Sequence, residues 1–141
     1  RTIERLAMRP NTASPAIITP YVAASREFYV KQLGARLVFD CGWFISLEFG
    51  PGLSVQFMEP QADQPACSTK GLTYNFRVAD VDVTYQEVLD SGLAPLTPPE
   101  DHPWGDRGFA LADPNGVTLY IYSDREPAPE FRAAYLKKPA Q

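Results

Sequence analysis

The chain contains a single histidine, His102, only two cysteines, Cys41 and Cys67, and no apolar run near the roughly 20 residues a membrane-spanning helix needs. Each shortage excludes something. One histidine cannot furnish the two-histidine, one-carboxylate set of non-haem iron oxygenases, and it leaves little for the His- and Cys-rich sites that hold zinc or nickel. Two cysteines far apart and outside any Cys-x-x-Cys pair read as reduced thiols of a cytoplasmic protein. Basic residues are also in deficit: thirteen Lys and Arg stand against seventeen Asp and Glu, for a net charge of −4, with no basic stripe. Nucleic acid is therefore excluded as an expected partner, since its binding rests on a basic footprint. Arg1 to Ser14 lacks the apolar core of a secretory signal and is expected to be a loose tail.

What the 141 residues do contain is enough apolar material, 45%, for one domain of ordinary globular composition. They also contain an internal repeat. Phe44–Phe57 lies over Gly108–Ile121 without a gap, and each segment reads as strand, tight turn, strand, with turns Gly50-Pro51-Gly52 and Asp113-Pro114-Asn115-Gly116. A helical stretch precedes each: Ser25 to Leu33, with Ser25 as N-cap and Gly34 after it, and Val81 to Ser91, with Asp80 or Asp82 as cap and Gly92 after it. Strands are expected at Pro15–Thr19 and Leu72–Val78 before the helices, and at Arg36–Asp40 and around Ala94–Leu96 after them. The second module carries an insertion, Thr97–Gly105, ahead of its hairpin.

Each module thus reads β-α-β-β-β. The fold class is α+β, with two such modules forming a curved mixed sheet around a cleft and the helices on its outer face. The domain spans 15–124, with modules 15–60 and 70–124, a tail at 1–14 and a second tail at 125–141 that can be helical. Strand alternation places Val117, Leu119 and Ile121 under one helix and Leu53, Val55 and Phe57 under the other. Thr118, Tyr120 and Tyr122, and Ser54, Gln56 and Met58, are left on the open faces. Aromatic and polar side chains of this mixture are what small-molecule sites are made of.

Three segments carry a resemblance: Val22–Tyr29 ahead of Leu33-Gly34, Phe76–Asp82, and Pro103–Gly116. Together they resemble the vicinal oxygen chelate superfamily, which unites glyoxalases, bleomycin-resistance proteins and dioxygenases. Pro103-Trp104-Gly105, followed by Phe109-Ala110-Leu111 and Asp113-Pro114-Asn115-Gly116, is most similar to the bleomycin-resistance members. The resemblance implies metal ligands at positions matching Ser14, Gln56, Thr73 and Tyr120, where metal-using members place mostly His or Glu. With Ser, Gln, Thr and Tyr there instead, no metal and no cofactor are expected.

The resemblance further implies a binding protein that sequesters an aromatic or amphipathic small molecule, as antibiotic-resistance relatives do, working as a cytoplasmic homodimer. The candidate ligand-binding residues are Trp104, Tyr120, Gln56, Met58, Tyr122, Trp43 and Arg107, and no catalytic residue is assigned. Bleomycin itself, large and cationic, suits a more acidic cleft. Trp43 either faces the cleft or packs at a dimer interface. His102, Asp106 and Arg107 around Trp104 either supply acid/base or ion-pair chemistry or form a solvated loop. Asp80, Asp82 and Ser25 read as helix caps. The alternative function is a superfamily enzyme, a lyase, isomerase or dioxygenase.

Overall fold

The computed structural model describes residues 8–136. Parts of both expected tails, residues 1–7 and 137–141, lie outside the described residues. The chain divides into two compact units, one up to Cys67 and one from Ser68.

The first unit runs β1 (Ala16–Ile18), α1 (Val22–Arg26) with a π-helical continuation over Glu27–Gln32, β2 (Arg36–Asp40), β3 (Phe44–Gly50) and β4 (Leu53–Met58). Its sheet has the order β1-β4-β3-β2, with β1 parallel to β4 and the other pairs antiparallel. The second unit repeats this plan with β5 (Thr73–Arg77), α2 (Val81–Asp90), β6 (Glu100–His102), β7 (Asp106–Ala112) and β8 (Thr118–Asp124), in the order β5-β8-β7-β6. A short helix, α3 (Pro129–Arg132), follows. The architecture is α+β, with two four-stranded mixed sheets, one per unit.

Alternation explains which face each strand buries. Leu119 and Ile121 on β8, with Phe109 and Leu111 on β7, are buried together with Val81 and Val88 of α2, while Thr118, Tyr120 and Tyr122 stay half-buried. In the first unit the core gathers around Tyr29, whose ring centroid lies 5.1 Å from those of Phe28 and Phe57. Edge-on and tilted contacts of this kind add to the area the rings bury. Gly34 and Gly92 end their helices with φ of +76° and +88°, the left-handed conformation their positions after the last turn require.

Four local expectations are corrected. Ser25 is no cap: the first helix begins at Val22, and the Ser25 hydroxyl, fully buried one turn in, donates to the carbonyl of Tyr21. Leu53 is not in the core but 58% exposed, because it opens β4 at the hairpin turn, beyond the reach of the helix. No strand forms around Ala94–Leu96. The outer strand is β6, within the stretch read as an insertion, because Pro98 and Pro99 have no N–H to offer a ladder and regular pairing starts only after them. Asp80 does cap α2, accepting from the N–H groups of Asp82 and Val83, but the Asp82 carboxylate is committed to Arg107.

Candidate functional site

In the second unit, β6 and β7 are joined by a three-residue turn, Pro103-Trp104-Gly105, that sets His102 directly opposite Asp106. Both side chains share the open face with Tyr120, and a network forms there. The Asp106 carboxylate accepts hydrogen bonds from the Tyr120 hydroxyl at 2.7 Å, from His102 Nδ1 at 2.8 Å and from Trp104 Nε1 at 2.8 Å. Its side chain is only 13% exposed, so these donors replace most of its lost hydration. The His102 ring lies flat on Trp104, with centroids 4.4 Å apart and planes 5° from parallel. Tyr120 stacks on Tyr122 at 5.7 Å.

The network has an electrostatic consequence for Tyr120. Burial of its phenol, then its hydrogen bond to the Asp106 carboxylate, holds its pKa well above the usual tyrosine value, so it stays a neutral donor. In the neutral imidazole, Asp106, whose oxygens only accept, places the His102 proton on Nδ1. Nε2 is left as the acceptor.

The turn that presents Trp104 is itself held by the segment after β8. Arg125 N–H donates to the Gly105 carbonyl and Ala128 N–H to that of Pro103, each at 2.8 Å, and the Tyr135 hydroxyl donates to the carbonyl of Trp104. Trp104 is 46% exposed yet fixed at its indole nitrogen, its ring face and its backbone.

The other candidates fall elsewhere. Arg107 is on the opposite, helix-covered face of this sheet, in line with Phe109 and Leu111, where its guanidinium forks onto Asp82 at 3.0–3.2 Å and lies 3.5 Å from Asp101. That pairing holds the Asp82 carboxyl below its usual range. In the first unit Gln56 sits in a polar row on the open face, accepting from Ser14 Oγ at 2.7 Å and donating to Ser46 Oγ at 3.1 Å. Met58 pairs with Phe44, whose ring meets those of Trp43 and Phe39 edge-on at 6.1 Å and 6.0 Å. Asp106 and His102 were weighed from the sequence only as acid/base or ion-pair groups or a solvated loop, and Phe39 and Phe44 were absent from the candidates. The His-x-Trp-x-Asp spacing across a Pro/Gly turn was the available signal for the first two.

The positions at which relatives would hold a metal do not suit one here. The Gln56 carbonyl oxygen already accepts from Ser14, the Tyr120 hydroxyl donates to Asp106, and all four side chains are neutral. Among the described residues no group of three His, Cys, Asp or Glu side chains converges. The chemistry on offer is aromatic stacking and hydrogen bonding.

Residues 11–121 match the sequence profile of the Glyoxalase/Bleomycin resistance protein/Dioxygenase superfamily. The chain belongs to this superfamily. Uncharacterized proteins of Mycobacterium bovis and Mycobacterium tuberculosis are 42% identical over 119 residues, 73% of this chain and 76% and 68% of theirs. Among solved structures, a glyoxalase/bleomycin resistance protein/dioxygenase from Nocardioides matches with TM-score 0.70 and 23% identity over 96% of this chain and 91% of its own. Lactoylglutathione lyase from Agrobacterium tumefaciens matches with TM-score 0.66 and 17% identity over 82% and 96%. At that identity the superfamily likeness is one of fold, and function must be argued from the side chains. No helix among the described residues is long and apolar enough to cross a membrane.

Proposed function

We propose that this superfamily member is a metal-free small-molecule binding protein of the bleomycin-resistance type, taking an aromatic or amphipathic ligand on the open face of the second sheet. The observation that carries the reading is Trp104. An indole 46% exposed is ordinarily mobile, yet this one is fixed by Asp106, His102 and Tyr135. A flat apolar surface fixed in advance spares a ligand the entropy of ordering it. Tyr120 and Tyr122 extend the aromatic surface, and the neutral Tyr120 phenol adds polarity without charge.

A second reading, an enzyme of the superfamily acting without a metal, is favoured by the His102–Asp106 pair, since a carboxylate on Nδ1 is how an imidazole is oriented as a base. Turnover of a bound compound would decide for it.

Planar aromatic metabolites and drugs screened by thermal shift are expected to yield a stabilising hit. Trp104→Ala should then weaken that hit about tenfold or more, ~1.4 kcal/mol, with the fold intact. Excess chelator should leave the melting temperature of the purified protein unchanged. A folded Trp104→Ala protein that binds the hit as tightly as the parent, or a chelator-sensitive melting transition, would overturn the reading.

A further inference from the structure

His102 has one nitrogen whose role in the network is complete and one whose role is not. Nδ1 lies 2.8 Å from Asp106 Oδ1 and 3.1 Å from the Tyr120 hydroxyl. Nε2 has no hydrogen-bond partner among the described residues, and it is not one of their sealed, unpartnered polar atoms, so it reaches solvent. The side chain keeps 23% of its surface exposed. The ring cannot readily turn to hide that nitrogen, because Asp106 holds one edge and Trp104 covers one face at 4.4 Å.

We infer that His102 Nε2 is a specificity determinant of the aromatic site, accepting a hydrogen bond from a hydroxyl or ring N–H carried by the ligand. The inference rests on the reading of this face as an aromatic-ligand site and narrows the ligand to a planar molecule with a donor at its rim. The sign follows from the tautomer. Asp106 is an acceptor, so it takes the Nδ1 proton and leaves Nε2 with a lone pair. A donor-bearing ligand satisfies that lone pair, whereas a ligand blocked at the same atom strips it of water and returns nothing. Trp104 offers no acceptor and the Tyr120 hydroxyl is engaged by both Asp106 and His102 Nδ1, so the acceptor role falls to His102 Nε2.

The test uses 2-naphthol and its methyl ether, two probes of the same ring system that differ in the donor. Titrated into the intact protein by calorimetry, the parent should prefer naphthol to the ether by about fivefold or more, the worth of one hydrogen bond. His102→Phe keeps a flat ring for Trp104 to rest on but has no Nε2. In that variant the preference should fall to about one, whatever the change in absolute affinity. His102→Gln, which can return an amide oxygen near the Nε2 position, should restore part of the preference and is a second route if the Phe variant does not fold. Equal affinity for the two probes in the parent, or an undiminished preference in His102→Phe, overturns the inference and leaves the aromatic site standing. No binding of either probe overturns both.

Discussion

The phenol ring of Tyr120 lies across Gly108 on the neighbouring strand, so close that a β-carbon at Gly108 would overlap its ring and hydroxyl. The register makes this a diagonal contact: Tyr120 is level with Ala110 and Tyr122 with Gly108. Leaning over the bare glycine is how Tyr120 reaches Asp106, two residues further along β7. The lack of one methyl group therefore lets the network close.

Gly108→Ala should consequently separate Tyr120 from Asp106 without unfolding the sheet, because Gly108 has no positive φ that an alanine would strain. Loss of a hydrogen bond to a carboxylate costs about 1–3 kcal/mol, offset by the roughly 0.5–1 kcal/mol that alanine gains over glycine in a strand. Denaturant unfolding should show only a modest net loss, while affinity for an aromatic hit falls. Unchanged affinity would show that Tyr120 need not touch Asp106.

Alkaline titration tests the same bond from its electrostatic side. The Tyr120 pKa is raised in the folded state above the usual tyrosine value of about 10, by burial first and Asp106 second. Its contribution to stability is thus complete below about pH 10 and is lost as pH climbs above that, because the unfolded chain ionises first. The stability difference between the parent and Tyr120→Phe should be constant near neutrality and shrink above about pH 10. A difference that is flat across that range would mean Tyr120 ionises normally. Tyr74, also raised by burial, is present in both proteins and cancels.

Tyr135→Phe should loosen the Trp104 turn. The variant loses the hydroxyl that donates to the Trp104 carbonyl, worth about 1 kcal/mol, while the bonds from Arg125 and Ala128 remain. In a Trp43→Phe background, which leaves Trp104 as the sole indole, collisional quenching should become more efficient and ligand affinity should drop less than in Trp104→Ala. Identical quenching in the presence and absence of the hydroxyl would assign Tyr135 no part in holding the turn.

Much of the scaffold could be read directly. The repeat of hairpin and helix foretold two β-α-β-β-β units, and alternation along Val117–Tyr122 separated the residues under α2 from Tyr120 and Tyr122 on the open face. Applied one strand earlier, the same alternation would have moved Arg107 to the helix side with Phe109 and Leu111, since its neighbours Asp106 and Gly108 belong to the other face. The second strand of the second unit was harder to see. Glu100–His102 is three polar residues after a proline pair, with no alternation of its own, and it is a strand because β7 offers it a partner.

The sequence by itself determined the α+β class, the order of the elements, the two buried stripes and the absence of the usual metal-binding side chains, because periodicity and turn chemistry are local properties of the chain. Only the tertiary structure decided that Asp106 is the hub of the hydrogen-bonded network and that Arg107 lies on the other face of the sheet. The physical reason is that a carboxylate's role depends on which donors reach it. Here those donors come from the facing residue of a tight turn, from the turn itself, and from a tyrosine on the next strand that leans over a glycine.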